Sequence, residues 1–271
     1  MSNPNVTSDA LQREVLASMF TSCPAQARAE LGLRLEEIAD VAVSVAQNDP
    51  SILLNRAHGL GSRKPVTQAT IEAVTDVYRR YGIARFFLHI HPHMLPPGGR
   101  RWLQAAGLER TRGWIEFARA GGALGTARTA LTVRRIDGAH APAFAGIVCT
   151  AFGLTRLAAP YVGALAGDRS WQCFMSFDGE IPAGAGAVLI HGRSAYLGFA
   201  ATEPAYRRRG SQGAILLARI QAALAAGCEY LFTETGEAVE GEEQISYRNI
   251  VRYRFEQSGF CENWAPRQTA T

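Results

Sequence analysis

The segment from Leu197 to Leu217, LGFAATEPAYRRRGSQGAILL, joins an apolar stretch to a helical pattern through a loop of arginine and glycine. Small residues between a strand and a helix leave backbone N–H groups available for a ligand, and the helix dipole adds partial positive charge there. Arg207, Arg208 and Arg209 add guanidinium groups, whose planar fork pairs with phosphate oxygens. The sequence therefore predicts a phosphate-binding site at the start of the helix. The alternative is a basic, solvated turn.

The patterns on either side of the loop predict the elements that support it. The second half of the chain is predicted to contain strands at 130–136, 171–177, 183–190, 195–200, 229–235 and 255–264, and helices at 138–152, 158–165, 211–226 and 244–253. The first half is predicted to contain helices at 8–20, 25–48, 67–81 and 100–106, and strands at 51–60, 84–91 and 111–118.

The two halves end with the same order of elements: a helix, a glycine, a buried strand, a loop, a short helix and an aromatic strand. Residues 81–91 correspond to the segment that begins at 226, and 102–117 correspond to 250–264. A repeat of about 145 residues is too long for a solenoid and suits a duplicated domain. A glycine cluster at residues 121–125 predicts a boundary near 127, with domains 1–126 and 127–271. The first half has only GSRKP, residues 61–65, where the second has its long arginine and glycine loop. We therefore expect the two halves to differ in their ability to bind phosphate.

Composition limits the class of protein. The 271 residues are 47% hydrophobic and 19% charged, which is typical of a globular chain and excludes a disordered one. The net charge of +4 rests almost wholly on arginine, since Lys64 is the one lysine. No apolar run is long enough to span a membrane, and the first residues lack the pattern of a secretory signal. Five widely spaced cysteines fit reduced thiols, and we expect a cytoplasmic protein.

Residues 207–212, Arg-Arg-Arg-Gly-Ser-Gln, resemble the Q/R-x-x-G-x-G/A loop with which GNAT N-acetyltransferases hold the pyrophosphate of acetyl-CoA. The resemblance continues through the following helix, the strand LFTETGE and the segment SYRNIVRYRF, and covers residues 130–271. The first half resembles a degenerate copy, as in tandem GNAT proteins. The resemblance implies an α+β fold of two GNAT-like domains, each a mostly antiparallel twisted sheet flanked by helices. It also implies acetyl-CoA (CoA) as acyl donor and no metal.

The sequence departs from the family pattern at three positions. Gln212 stands where the loop has Gly or Ala, so the next glycine is Gly213. Arg254 precedes Phe255 where a Gly-Phe pair is usual, and Thr202 replaces a common valine. None of these changes removes a reactive group.

The resemblance implies a set of site residues. The predicted cofactor-binding residues are Ala200, Thr202, Arg207, Arg208, Arg209, Gly210, Ser211, Gln212, Gly213 and Asn249. Backbone N–H groups near Ala200 and Thr202 are expected to stabilise the oxyanion, and Asn249 is expected to bind the pantetheine arm.

Glu234 and Tyr253 are the predicted catalytic residues. An alkyl ammonium has a pKa of about 10, so a base must remove its proton at neutral pH. Glu234, on a buried strand, is the predicted base, with a structural carboxylate as the alternative and Glu237 as second choice. Tyr253 is the predicted acid for the leaving thiolate, and Tyr247 and Ser246 compete with it.

His89, His91 and His93 alternate in the first half, and residues at this spacing share one face of a strand. They suit zinc poorly, because Pro92 interrupts the strand and no carboxylate or cysteine is near in sequence. We expect no metal there, and the alternative is a set of side chains that lines a substrate cleft. By the internal match His89 corresponds to Glu234.

The leading hypothesis is a tandem GNAT-type N-acetyltransferase that acts on a small-molecule or peptide amine, and the alternative is a non-catalytic acyl-CoA-binding or sensing protein. Nucleic-acid binding has little support, because basic residues do not cluster beyond Arg207–Arg209 and no aromatic residues interleave with them. No membrane partner is expected. A pseudo-dimer within one chain suits a monomer, and a homodimer stays open.

Overall fold

The computed structural model describes residues 4–122 and 124–267. The helices of this part are α1 (Pro4–Ser22), α2 (Ala25–Leu31), α3 (Gln68–Arg80), α4 (Gly99–Ala105), α5 (Ala141–Phe152), α6 (Ala159–Gly163), α7 (Ser211–Ala225) and α8 (Ile245–Arg252), with short 3₁₀ turns between some of them. The strands are β1 (Leu33–Ile38), β2 (Val41–Ala46), β3 (Arg56–His58), β4 (Phe87–Ile90), β5 (Leu108–Ala120), β6 (Thr132–Ile136), β7 (Trp171–Asp178), β8 (Ile181–His191), β9 (Ser194–Thr202), β10 (Tyr230–Gly236) and β11 (Glu256–Pro266).

All of these strands form one sheet in the order β1-β2-β3-β4-β11-β5-β10-β9-β8-β7-β6. The pairs β3–β4 and β9–β10 are parallel, and the other neighbours are antiparallel. The predicted α+β class with a mostly antiparallel sheet is confirmed. The two halves share a single sheet, which runs without a break across both predicted domains.

The last strands of the two halves are exchanged. Strand β5, from the first half, lies between β10 and β11, while β11, from the second half, lies between β5 and β4. The register places Glu234 opposite Glu116 and Asn263 opposite His89. Long antiparallel pairing therefore joins the halves, and the division at 126/127 stays a prediction.

The N-terminal helix belongs to the core of the second half. Leu11, Val15 and Met19 of α1 are buried in one cluster with α5, α6 and the face of β7–β9. A second cluster lies between α3 and β2–β4, and a third packs α7 and α8 against β8–β10. Helix α1 thereby crosses the centre of the sheet, where both halves meet.

The prediction of a helix over 25–48 is wrong. Helix α2 ends at Leu31 because Gly32 adopts φ +58°, the left-handed conformation that closes helices, and the hairpin β1–β2 follows. All six residues of β2 are buried. Such a strand reads as a continuous apolar run, and a periodicity argument cannot separate it from a helix.

The prediction of a strand over 51–60 is correct only for residues 56–58. Asp49 accepts a hydrogen bond from the backbone N–H of Ser51 at 2.9 Å, and Ser51 Oγ accepts one from Leu53 N at 3.1 Å. These side chains provide a local alternative to strand pairing and hold 51–54 in a turn.

Arg254 takes φ +62°, so the turn after α8 forms without the usual glycine. An L residue in this region carries about 1–2 kcal/mol of strain, which glycine would relieve. Glycine also raises the entropy of the unfolded chain, and this offsets about 0.4–1 kcal/mol of the gain. Arg254→Gly is therefore expected to stabilise the chain by roughly 0.5–1 kcal/mol, visible as a higher Tm in thermal unfolding. The matched variant Arg248→Gly, inside α8, is expected to lower it. Equal losses in both variants would contradict strain at Arg254.

Candidate functional site

The arginine and glycine loop lies between β9 and α7. Gly210 precedes the first residue of α7 with φ +82°, and a Cβ there would lie 2.4 Å from the carbonyl oxygen of Arg128. Arg208 is also left-handed, with φ +62°. The first N–H groups of α7 have no partners within the helix, and no acidic residue lies in its first turn. The loop therefore combines N–H groups without helical partners with positive charge, and anion binding there stays a prediction.

The three arginines of the loop differ in their partners. Arg209 Nη1 donates to Asp178 Oδ2 at 2.8 Å, and the Arg209 guanidinium lies 5.1 Å from the Tyr206 ring. Within residues 4–122 and 124–267, no hydrogen bond or ion pair holds the side chain of Arg207 or Arg208. These two cations remain for a ligand.

Ser211 faces the sheet. Its Oγ lies 2.8 Å from Ser176 Oγ, and the hydroxyl is buried under β7 and β8. A phosphate at the loop would thus contact the backbone of Ser211 and not its hydroxyl.

A cavity of about 1080 Å³ follows this loop. Its lining includes every residue predicted to bind the cofactor: Ala200, Thr202, Arg207, Arg208, Arg209, Gly210, Ser211, Gln212, Gly213 and Asn249. We call it the cofactor cavity.

A second cavity, of about 410 Å³, lies where β9 and β10 separate. The strands pair only from Tyr230 to Phe232 on β10, and Thr233 Oγ1 makes one further bond to Leu197 O at 2.8 Å. Beyond that point both strands line the opening. We call it the acceptor cavity, after the use predicted for it. It is continuous with the cofactor cavity, because the two share five lining residues, namely Ala151, Ala200, Gln212, Ser246 and Asn249.

A β-bulge exposes the backbone of β9 at the junction of the cavities. The β8 pairing passes from Gly198 directly to Ala201, and Phe199 takes φ +56°. Buried Arg219 supports the bulge, since its Nη1 donates to Gly198 O at 2.9 Å, and burial lowers the pKa of Arg219 to about 10. Ala200 lines both cavities, whereas Thr202 lines only the cofactor cavity.

Glu234 points into the acceptor cavity from β10. Its Oε2 accepts a hydrogen bond from Gln12 Nε2 at 3.0 Å, and its Oε1 accepts one from Tyr196 Oη at 3.0 Å. Burial raises the pKa of Glu234 above its ordinary 4.5, and the nearby Arg56 charge opposes the shift. The raised pKa that the sequence led us to expect is therefore present.

No protein-family model matches the sequence, and no curated protein matches it significantly. Solved structures do match. A GCN5-related N-acetyltransferase from Kribbella flavida superposes with a TM-score of 0.64 at 16% identity, over 90% of this chain and 95% of its own. A second, from Sphaerobacter thermophilus, gives a TM-score of 0.60 at 14% identity, over 88% and 83%. A tandem GNAT protein from the clavulanic acid biosynthesis pathway gives 0.56 at 12% identity, over 85% and 79%.

The chain has a tandem GNAT fold. The resemblance inferred from its sequence is confirmed at the level of the fold, over both halves.

In the first half, a carboxylate occupies the loop at residues 61–65 that corresponds to the arginine and glycine loop. Asp40 Oδ2 accepts hydrogen bonds from the backbone N–H groups of Arg63 at 3.0 Å and Lys64 at 2.8 Å. The Asp40 carboxylate is buried, so it holds the place that a phosphate would need. This contact gives a physical reason for the expected difference between the two GNAT halves.

The three candidates for the predicted catalytic acid lie in different places. Tyr253 is buried beside the cofactor cavity, just after α8, and burial raises its pKa. Tyr247 packs edge-on against Phe117 with ring centroids 5.3 Å apart and lines neither cavity. Ser246 lines both cavities. Glu234 and Tyr253 thus border different cavities, and their roles stay predictions.

Gln212, the departure from the GNAT loop pattern, lies at the junction of the cavities. Its Oε1 accepts a hydrogen bond from Asn249 Nδ2 at 2.9 Å, and its Nε2 donates to Ser246 Oγ at 3.3 Å. The side-chain amide of Asn249, which was expected to contact pantetheine, is therefore hydrogen-bonded to Gln212.

Glu237 does not line either cavity. It forms a 2.9 Å ion pair with Arg110 and accepts a hydrogen bond from Gly113 N, which lowers its pKa. These contacts fix Glu237, the second-choice base, outside both cavities.

The three alternating histidines lie in different surroundings, although the rings of His91 and His93 are 5.7 Å apart. His89 lines the acceptor cavity and stacks on His58 at 4.0 Å, and burial lowers the pKa of His89 to about 3. His91 Nε2 lies 2.8 Å from Glu116 Oε2. Burial lowers the pKa of His91, but the hydrogen bond and charge of Glu116 raise it above 6.5 overall.

Glu116 and Asp9 are far from His91 in sequence, but β5 and α1 bring these carboxylates beside it through the fold. Among the described residues, no group of three or more histidine, cysteine or acidic side chains is placed to hold a metal ion. In the same residues, no helix is long and apolar enough to cross a membrane.

Sequence reasoning missed Gln12, Tyr196 and Arg56, which surround Glu234. Gln12 and Tyr196 carried no motif, and their contacts to Glu234 span 222 and 38 residues. Arg56 did carry a signal, since it is a charged residue inside the apolar stretch SILLNRAHGL.

Proposed function

We propose that the chain is a GNAT-type N-acyltransferase that moves an acetyl group from acetyl-CoA to the amine of a small molecule or peptide. The observation that carries this proposal is the continuity of the cofactor cavity, which begins at the arginine and glycine loop, with the acceptor cavity, which contains Glu234.

At the loop, the N-terminal N–H groups of α7 and the side chains of Arg207 and Arg208 would hold the pyrophosphate. The bulge of β9 presents the Ala200 backbone where the two cavities meet. A backbone N–H at that place can stabilise charge on a carbonyl oxygen during acyl transfer.

Acetyl-CoA supplies a thioester whose acyl carbon the amine attacks, forming a C–N bond as the C–S bond breaks. Glu234 would take the proton of the ammonium, because its raised pKa makes it a stronger base than an ordinary glutamate. Tyr253 is proposed to protonate the thiolate, with Ser246 as the alternative at the junction. The nitrogen releases its second proton as the amide forms, and that proton restores the acid.

A non-catalytic acyl-CoA-binding protein would need the loop but not a perturbed carboxylate in a separate cavity. The raised pKa of Glu234 and its place in the acceptor cavity favour the enzyme. The five cysteines are all free and buried, which suits the reducing cytoplasm.

The test begins with calorimetric titration of acetyl-CoA and detection of CoA release with a panel of amines. The double variant Arg207→Ala/Arg208→Ala is expected to weaken acetyl-CoA binding by about 10-fold or more, because each charge-assisted hydrogen bond contributes about 1.5–3 kcal/mol.

Arg85→Ala/Arg101→Ala is the control, since it removes the same charge from exposed positions outside both cavities. Affinity should then stay within about threefold, the scale of surface-charge effects. Absence of acetyl-CoA binding to the parent chain would overturn the proposed function. Binding without turnover for any amine would favour the non-catalytic alternative.

A further inference from the structure

Arg56 places a buried positive charge in the wall of the acceptor cavity. It lies on β3 and is 6% exposed. Its Nε is buried without a hydrogen-bond partner, and in the described part of the chain no ion pair includes its guanidinium. Arginine stays charged in proteins, and a buried charge without a counter-ion is unfavourable. An anion that binds this guanidinium would therefore stabilise it.

The neighbours of Arg56 do not supply that anion. His58 and His89 stack beside it, and burial lowers the pKa of both, so they are neutral. Glu234 shares the cavity, but its two carboxylate oxygens are bound by Gln12 and Tyr196 and do not reach ion-pair distance of Arg56.

We propose that the acceptor is an amino acid, or a small molecule with the same pair of groups, whose carboxylate binds Arg56 while its amine faces Glu234. This inference rests on the proposed function. The two side chains hold opposite charges at separate points of one cavity, which is complementary to a zwitterion. Guanidinium and carboxylate groups pair through two parallel hydrogen bonds, which would satisfy the orphaned donors.

The rest of the lining indicates the character of the amino-acid side chain. Phe87, Trp114, Phe152 and Leu53 contribute apolar surface to the same cavity. Its volume of about 410 Å³ is in the range of small-molecule sites. We therefore expect an apolar or aromatic amino acid.

A carboxylate can also come from the donor, as the distal carboxylate of a dicarboxylic acyl-CoA. Arg56 is on the first half, whereas the junction with the cofactor cavity is built by β9, α7 and α8 of the second. Arg56 does not line the cofactor cavity, which favours the acceptor as the source.

The test compares matched acceptors that differ only in the carboxylate: phenylalanine with phenethylamine, and leucine with 3-methylbutylamine. The parent chain is expected to prefer the carboxylated member by about 30-fold or more in kcat/KM, the usual effect of a buried charge pair. Arg56→Gln should reduce this ratio to within about threefold, because it removes the charge that binds the carboxylate. The loss of the Arg56 charge also shifts the pKa of Glu234, but this effect is common to both members of a pair and cancels in the ratio.

Arg34→Gln, at an exposed position on β1 of the same sheet, is the matched control and should keep the parent ratio. If Arg56→Gln does not fold, the proposal is tested by the ratio of kcat/KM for carboxylated and plain acceptors, measured with the parent chain and with Arg56→Lys. No preference for carboxylated acceptors, or a preference that survives Arg56→Gln, would overturn the acceptor assignment.

A second arm compares succinyl-CoA with butyryl-CoA for one fixed amine. A preference for succinyl-CoA that Arg56→Gln abolishes would keep the carboxylate site but assign it to the donor, which overturns the amino-acid acceptor. If the parent chain transfers acetyl groups without discrimination in either arm, the carboxylate site is wrong while the proposed function stands.

If the chain shows no turnover, binding at the site can be measured directly, as the change in Tm caused by N-acetylphenylalanine and by N-acetylphenethylamine. Selective stabilisation of the parent chain by the first, absent in Arg56→Gln, would support the carboxylate site, and equal shifts would overturn it.

Discussion

Glu234→Gln is expected to lower kcat by about 10²- to 10⁴-fold, the usual contribution of a positioned general base. An amide has nearly the same shape as the carboxylate but cannot accept the proton of an ammonium. Acetyl-CoA affinity should change little, because Glu234 does not line the cofactor cavity. Steady-state rates and calorimetry measure the two quantities separately.

The fold should tolerate this change. Gln12 Nε2 now donates to Glu234 Oε2, while Gln12 Oε1 is buried without a partner. Rotation of the Gln12 amide would let that oxygen accept a hydrogen bond from the new amide, and Tyr196 would still donate to the remaining oxygen. A kcat loss therefore reports chemistry, and thermal unfolding checks that stability is kept.

The pH profile gives an independent readout. A base acts only when deprotonated, and the pKa of Glu234 is raised, so activity should fall as the pH falls through a value above the ordinary 4.5. This acid limb should disappear in Glu234→Gln. Glu237→Gln is the control, because Glu237 is fixed in an ion pair outside the cavities and should leave rate and profile within about threefold. Equal losses in both variants would remove Glu234 as the base.

Gly210→Ala is expected to weaken acetyl-CoA binding strongly and to destabilise the chain by about 1–3 kcal/mol, the scale of strained backbone conformations. The added Cβ would lie 2.4 Å from the backbone oxygen of Arg128, and φ at this position is +82°. Since backbone cannot yield as a flexible side chain can, the loop must shift and move the N-terminal N–H groups of α7. Calorimetry with acetyl-CoA and thermal unfolding measure both effects.

Gly146→Ala is the matched control for this variant. Gly146 lies inside α5, and a Cβ there would meet nothing within 4 Å. Alanine is the better helix former, so this change should raise stability by roughly 0.5–1 kcal/mol and leave acetyl-CoA affinity unchanged. Comparable affinities for the parent chain and Gly210→Ala would show that the loop does not hold the pyrophosphate.

The sequence was informative about the second half because its signals are local. The helix α7, its glycine stop and the strands β7 to β10 follow from periodicity and turn residues, and the structure places them within a few residues of the predicted bounds. The hairpin β1–β2 was missed because Val41 to Ala46 is buried throughout, so the period of two that marks a half-exposed strand is absent. The exchange of β5 and β11 was not predictable from local patterns either.

The candidate site likewise has one part that local sequence patterns predict and one part that they do not. The residues predicted for the cofactor are contiguous in sequence or lie on the adjoining strand and helix, and one cavity collects them. The surroundings of Glu234 come from α1, β3 and β9, which only the folded chain brings together. A motif can reveal a loop that binds a common cofactor, but a cavity assembled from distant elements has no signature in one sequence.

The exchanged strands also determine how the molecule can come apart. Because β5 is hydrogen-bonded to β10 and β11, and β11 to β4 and β5, the halves cannot separate without breaking the long β5–β10 and β5–β11 ladders and the short β11–β4 ladder. Pairs such as Trp264 with Arg110 join segments far apart in the chain, so the central strands can form only after most of the polypeptide has been made. We therefore expect the two halves to unfold in one cooperative transition, in which the cavity lined by both of them is lost.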